Sequence, residues 1–141
     1  MIRLFLILLL FSLSAQADEF AFKDMKGQVL KLSNYRGKWV LVNFWSPQDP
    51  SSRKEISELA GLSAKLVVIG IAMNYRDSKS VIDFATANRI PYPIVLGTDD
   101  IAEEIGELQG IPANFLYNPS GDLVAAKAGA IRREDVERMI R

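Results

Sequence analysis

Apolar positions follow two different spacings along the chain, and the switch between them predicts an α/β domain. Two nearly continuous apolar runs, Trp39–Trp45 and Leu66–Met73, are typical of strands buried on both faces. Between these runs, over residues 53–65, apolar residues recur at helical spacing. A second stretch of helical spacing follows the second run and is stopped by Pro91. Strands that alternate with helices in this way predict a sheet with parallel strands and helical layers.

The two ends of the chain predict further strands and helices. Phe20 and Phe22 alternate with small or polar residues before the turn at Asp24–Gly27, which predicts an N-terminal hairpin completed by Val29 and Leu30. The second half of the chain predicts five more elements and a turn: a short strand at Ile94–Leu96, a helix from Asp99 or Asp100 to Gly110, a strand at Phe115–Tyr117, a turn at Asn118–Gly121, a strand at Leu123–Ala126 and a helix at Arg132–Ile140. The predicted architecture is a central mixed sheet flanked by helices on both faces, with an N-terminal β-hairpin extension.

Residues 1–17 have the pattern of a secretory signal peptide. Arg3 gives a basic start, Leu4–Leu13 is apolar except for Ser12, and Ala15-Gln16-Ala17 has the small residues that signal peptidase recognises. An apolar run of this length is too short for the roughly 20 residues of a membrane-spanning helix. We therefore predict cleavage after Ala17, a single domain over residues 18–141, and a periplasmic or secreted protein without a stable membrane span. The alternative is an uncleaved N-terminal anchor.

Composition narrows the possible chemistry. The 141 residues include no cysteine and no histidine, which excludes thiol nucleophiles, imidazole bases and a lipid-modified cysteine. The sequence lacks the cysteine and histidine residues that usually bind zinc and iron–sulfur clusters, so we expect no metal and no cofactor. The chain has 17 basic and 17 acidic residues, and Arg3 is the only charged residue of the predicted leader. A net charge near zero gives no electrostatic argument for binding nucleic acid or an anionic membrane.

Four motifs, in order along the chain, carry a family resemblance. They are Asn43-Phe44-Trp45, Arg53-Lys54-Glu55-Ile56, Gly110-Ile111-Pro112 and Asn118-Pro119-Ser120-Gly121. With them, the chain from Phe20 to Arg141 resembles the TlpA/ResA-type periplasmic thioredoxins, a redoxin family. The resemblance implies a thioredoxin-like fold and a relationship to thiol–disulfide oxidoreductases.

The family's redox motif is altered in this chain. In that family the strand runs Asn-Phe-Trp-Ala-x-Trp-Cys-x-x-Cys, and the same register here places Asp49 and Ser52 at the two cysteine positions. Pro50 is retained, and Gln48 replaces the flanking tryptophan. Thiol–disulfide exchange needs an attacking thiolate and a resolving thiol, and neither carboxylate nor hydroxyl oxygen replaces them. We expect a redox-inactive protein with no catalytic residue.

Several residues near this motif have two readings. Asp49 followed by Pro50 is a favourable start for a helix, and the alternative is a permanent anion that imitates the family's thiolate. Ser52 is a typical helix-start residue, and nothing in the spacing favours a Ser–Lys arrangement with Lys54. Asn43 stands where many thioredoxins carry a buried acid. Asp77 either caps a helix or lies near an acidic residue that some family members carry beside the redox site.

The resemblance also assigns the second half of the family's site. Ile111-Pro112 corresponds to the cis-proline element, where the backbone before the proline pairs with an extended substrate segment. Such strand addition uses main-chain groups and needs no thiol. The groove predicted from this resemblance comprises Gln48, Asp49, Pro50, Ile111 and Pro112. The alternative is that Pro112 is retained only because the fold needs this turn.

Three functions follow from this interpretation. The first is a module of the cell envelope that binds or holds an extended peptide or an envelope protein without exchange chemistry. The second is membership of a thiol–disulfide oxidoreductase pathway, in cytochrome maturation or redox homeostasis. The third is a degenerate paralogue with no active site. No nucleic-acid partner is expected.

Overall fold

The structure is a computed structural model that describes residues 19–141, so the predicted leader and its cleavage after Ala17 lie outside the described residues. Its elements follow the predicted order: β1 (Ala21–Lys23), β2 (Val29–Lys31), a 3-10 helix (Leu32–Tyr35), β3 (Val40–Trp45), α1 (Pro50–Leu62), β4 (Val67–Ala72), α2 (Ser78–Ala87), β5 (Ile94–Leu96), α3 (Asp99–Ile105), β6 (Ala113–Tyr117), β7 (Leu123–Ala128) and α4 (Arg133–Met139). The predicted fold class is confirmed.

The central sheet has the strand order β5-β4-β3-β6-β7. β3, β4 and β5 are parallel because helical crossovers connect them, whereas β6 and β7 form an antiparallel hairpin beside β3. Asn118 shapes the turn of this hairpin, since its Oδ1 accepts the backbone N–H groups of Ser120 and Asp122 at 3.0 and 2.9 Å. Every residue of β3 is buried, as expected for a central strand with helices or other layers on both faces.

Two hydrophobic cores lie on opposite faces of the sheet. One is closed by the hairpin of β1 and β2 together with α3, and the other by α1, α2 and α4. Phe20 and Phe22 stack at 5.0 Å between ring centroids, and Phe20 meets Tyr117 edge-on at 5.6 Å. Tyr35 is partly buried against the same core. Trp45 is buried in the second core, whereas Trp39 is only partly buried and precedes β3.

One predicted helix boundary is confirmed and another is wrong. α1 begins at Pro50, where the Asp49-Pro50 pair predicts its start and before the apolar spacing of residues 53–65, because Asp49 caps the helix directly before the proline. α3 ends at Ile105 instead of reaching Gly110. At Gly106 the chain becomes extended and passes so close to Phe115 that a Cβ there would lie 3.0 Å from its ring. This contact between distant segments decides where α3 ends.

We predict that Gly97→Ala destabilises the fold, because Gly97 lies where the chain leaves β5 against β4. An added Cβ would lie 2.5 Å from the backbone oxygen of Ala72 and would also contact Met73 Sδ. Overpacking of this kind costs about 1–3 kcal/mol. Urea denaturation measures the loss in free energy of unfolding.

Gly61→Ala is the matched control, because its added Cβ meets the end of the flexible Arg133 side chain. Alanine also suits the last turn of α1, where Gly61 lies, better than glycine by up to about 1 kcal/mol. Gly61→Ala should therefore leave stability unchanged or raise it, and an equal loss in both variants would contradict the predicted backbone clash.

Candidate functional site

The structure brings the two halves of the predicted groove to the same end of the sheet. β3 ends at Trp45 and continues into the loop that leads to α1, while β6 begins at Ala113. β3 and β6 are neighbours with Phe44 opposite Ala113, so Pro112 lies beside the end of β3. The Ile111–Pro112 peptide bond is cis. The loop before α1 and the segment before β6 therefore lie side by side.

Asp49 occupies the N-cap of α1. Its Oδ1 accepts the backbone N–H of Ser52 at 2.8 Å, and Pro50 is the first helical residue. The preceding loop is folded around Ser46, whose carbonyl oxygen accepts the N–H of Asp49 at 3.1 Å. Ser46 Oγ also accepts the N–H of Gln48 at 3.3 Å. The capping interpretation of Asp49 therefore has a geometric basis.

The predicted residues differ in exposure. Gln48 and Pro50 are exposed, Asp49 and Ile111 are half-buried, and Pro112 is buried. Ser52 is only 1% exposed, and its hydroxyl oxygen accepts the N–H of Ser46 at 3.2 Å. This bond ties the start of α1 to the end of β3. Lys54 lies on the exposed side of the helix, so the structure offers no Ser–Lys pair.

A buried carboxylate, which the sequence interpretation missed, lies one turn into α1. Glu55 is 2% exposed, and its Oε1 accepts Asn43 Nδ2 of β3 at 2.6 Å. Its Oε2 accepts Asn114 Nδ2 of β6 at 3.0 Å and the backbone N–H of Ile131 at 2.7 Å. Asn43 Nδ2 also donates to Asn114 Oδ1 at 2.9 Å, across the directly paired strands. Glu55 thus joins α1 to two strands and to the segment before α4.

The buried environment of Glu55 raises the pKa of its carboxyl group. Burial raises the pKa of this carboxyl above its ordinary value of 4.5, because the charged form is removed from water. The hydrogen bonds from Ile131, Asn114 and Asn43 and the charge of Lys127 act in the opposite direction and only partly offset the rise in pKa. Asn43 Oδ1 is buried and has no hydrogen-bond partner among residues 19–141.

A signal for this network was present in the sequence. The buried positions of α1 are Ser52, Glu55, Leu59 and Leu62, which repeat at three and four residues, so Glu55 falls on the apolar stripe. Asn43 and Asn114 each interrupt an apolar strand. Asp77, by contrast, is exposed and caps α2 by accepting the N–H of Ser80 at 2.8 Å.

The described groups at this site supply hydrogen bonds and charge. Within residues 19–141, no three His, Cys, Asp or Glu side chains are placed to hold a metal ion. No helix in this part of the chain is long and apolar enough to cross a membrane. Asp49 Oδ1 accepts the N–H of Ser52 at the helix start, and the Ser52 hydroxyl accepts the N–H of Ser46.

Glu55 makes the stability of the protein depend on pH. Between its ordinary and its raised pKa, the folded protein holds a proton that the unfolded chain has lost. We predict that the free energy of unfolding falls as pH rises from 4.5 through this window, then levels off. Glu55→Gln should remove this decrease, measured by urea denaturation at a series of pH values. Glu104→Gln controls for the loss of one exposed carboxyl, and a decrease that persists in Glu55→Gln would refute the assignment.

Comparison with known proteins places this geometry in a family. ResA, a thiol-disulfide oxidoreductase of Geobacillus kaustophilus, is 30% identical over 131 residues, covering 90% of this chain and 75% of that protein. The crystal structure of StoA from Bacillus subtilis has a TM-score of 0.75 at 22% identity, covering 87% of this chain and 96% of that one. A secreted thiol-disulfide isomerase from Corynebacterium glutamicum has a TM-score of 0.78 at 20% identity, covering 86% and 81%.

The two solved structures establish the fold, and the match to a family model establishes the family. The AhpC/TSA family matches residues 13–126, which include β1 to β6, the altered loop and the cis-proline segment. With its thioredoxin-like fold and its relationship to thiol-disulfide oxidoreductases, this cysteine-free chain belongs to the AhpC/TSA family.

Proposed function

We propose that this chain is a redox-inactive thioredoxin-like protein of the bacterial cell envelope that holds an extended peptide segment of a partner protein. The binding site would be the groove of Gln48, Asp49, Pro50, Ile111 and Pro112. The observation that carries the proposal is the free main chain of Ile111 next to the cis-proline.

The backbone at Ile111 is available for strand addition. Within residues 19–141, neither its N–H nor its carbonyl group forms a hydrogen bond. The next carbonyl group, that of Pro112, is already occupied by the N–H of Gly129 at 2.8 Å. Ile111 therefore presents one donor and one acceptor just before the start of β6, and an extended peptide provides complementary groups.

The absence of sulfur supports binding without exchange. The 141 residues include no cysteine, Asp49 caps the start of α1, and the hydroxyl of Ser52 accepts the N–H of Ser46 after β3. A mixed disulfide with a partner cannot form, so retention of the partner would depend on non-covalent contacts alone. The names of the relatives suggest a second candidate, a non-catalytic member of an oxidoreductase pathway, in which this groove would hold the same class of segment.

The proposed location is supported by the sequence of the first 17 residues. Their basic start, apolar run and Ala15-Gln16-Ala17 site fit export across the inner membrane and cleavage after Ala17. A protein that holds its fold without disulfides is compatible with either redox state of the envelope.

Peptide capture tests the groove directly. Decapeptides selected from a random display library on the chain from Asp18 onward should bind equally with and without dithiothreitol. N-methylation of the one ligand amide that donates to the Ile111 carbonyl should abolish binding, because it removes the donor and adds bulk at the strand interface. Titration calorimetry measures the affinity of the selected peptide and of variants that are N-methylated at each amide in turn.

Two variants separate the groove from the rest of the surface. Ile111→Arg should lower the affinity of the protein for the selected peptides. Leu123→Arg should leave this affinity unchanged, since Leu123 is exposed beside Tyr117 at the other end of the sheet. Binding that survives every N-methylation, or that both variants weaken alike, would rule out strand addition at Ile111.

The two readings of Asp49 are also separable. Asp49→Ala should lower the free energy of unfolding by about 1 kcal/mol, because the N–H of Ser52 loses its acceptor. Asp49→Asn keeps an acceptor and removes the charge, so it should retain most of the stability and the full peptide affinity. A loss of affinity in Asp49→Asn at normal stability would assign the carboxylate to partner binding instead.

A further inference from the structure

The N-terminal hairpin exposes one face that combines basic and apolar side chains. Ala21 pairs with Lys31 and Lys23 pairs with Val29, and all four are exposed, whereas the intervening Phe22 and Leu30 are buried. The alternation of side chains in a strand therefore sets both lysines on the outer face of β1 and β2. We call these four residues the hairpin face.

Positive charge is concentrated on and around this face. Residues 19–38 contain five basic and two acidic residues, whereas residues 39–141 contain eleven basic and fourteen acidic ones. Of the two acidic residues, Asp24 is buried, and its Oδ1 accepts the N–H groups of Lys26 and Gln28 at 2.9 Å each. The near-zero net charge of the whole chain conceals this separation.

The lysines of the hairpin are free to interact with a partner. In the described part of the chain, Lys23, Lys26 and Lys31 make no ion pair within 4.0 Å. Lys26 extends the basic surface to the turn and lines a cleft together with Arg89, at the end of α2. Glu19, the one exposed acidic residue of residues 19–38, interacts electrostatically with Lys31 and Arg36, so it offsets part of this charge. The net positive charge that remains attracts an anionic surface over about 10 Å at 0.1 M salt.

The apolar members of the face favour lipid over a purely polar partner. Val29 is 51% exposed and lies directly opposite Lys23. Lysine side chains lay their alkyl stems on apolar surface while the ammonium group reaches into water or headgroups. A mixture of lysine with exposed aliphatic residues is the pattern of surfaces that settle into the headgroup region of a bilayer.

We propose that the hairpin face docks on the anionic lipid surface of the envelope membrane, with Lys23, Lys26 and Lys31 binding phosphate headgroups and Val29 entering the interface. This inference does not rest on the proposed peptide groove. Phe20 leads into β1 and packs on Tyr117, which is paired with Val40 at the start of β3, whereas the groove lies at the other end of that strand. Docking would leave the groove open to a partner.

Vesicle sedimentation tests the proposal with the chain from Asp18 onward, which contains the whole sheet and both cores. At low salt the protein should sediment with vesicles of phosphatidylglycerol and phosphatidylcholine and not with phosphatidylcholine alone. Because one basic residue near an anionic surface contributes roughly a fivefold change in partition, Lys23→Glu/Lys31→Glu should reduce binding at least about 25-fold. High salt should release the wild-type protein.

The control has the same change of charge on the opposite side of the sheet. Lys54→Glu/Arg76→Glu alters exposed residues of α1 and of the segment before α2, and it should retain wild-type binding. Circular dichroism and thermal unfolding establish that both double variants are folded. No preference for the anionic vesicles at low salt, or an equal loss in both double variants, would overturn the proposal.

Discussion

The buried carboxylate of Glu55 is the interaction on which the arrangement of the site depends. A charge inside a protein is tolerated only when its hydrogen-bonding capacity is filled, and here Asn43, Asn114 and the backbone of Ile131 fill it. Each donor comes from a different part of the chain, so α1 has one position in which all three bonds form. Glu58 forms a further link, since it accepts the N–H of Arg133 at 2.8 Å and so joins α1 to α4. Removing Glu55 would leave the backbone N–H of Ile131 without its acceptor, and it would take one hydrogen bond each from the side-chain amides of Asn43 and Asn114.

With α1 held in place, the start of this helix and the segment before β6 lie side by side, and the chain has no cysteine to react there. The side-chain oxygens of Asp49 and Ser52 accept backbone N–H groups at the start of α1 and after the end of β3. A carboxylate or hydroxyl oxygen does not replace a thiolate in attack on a disulfide. The backbone of Ile111 is independent of this change, because strand addition uses only main-chain groups. Loss of exchange chemistry and retention of a peptide-binding edge are therefore physically compatible in one fold.

Local patterns in the sequence predicted most of the fold, and contacts between distant segments account for the rest. The apolar runs gave β3 and β4, and the Asp49-Pro50 pair gave the cap of α1, because these depend on neighbours in the chain. The end of α3 depends on Phe115, which lies nine residues beyond Gly106. Glu55 was missed because a glutamate after Arg53 and Lys54 resembles an exposed polar helix face. The cationic hairpin face was hidden by the net charge, since the pairing of β1 with β2 decides which side chains share a surface.

The central claim is that an intact thioredoxin-like scaffold surrounds a site from which the reaction centre is missing. Reduction of insulin disulfides by dithiothreitol tests it most directly, comparing wild type with Asp49→Cys/Ser52→Cys. The account predicts that wild type adds nothing to the rate with dithiothreitol alone, and that the double variant accelerates it through its two new thiols. Turnover by the wild-type chain would contradict redox inactivity, and a folded double variant without activity would contradict an intact scaffold.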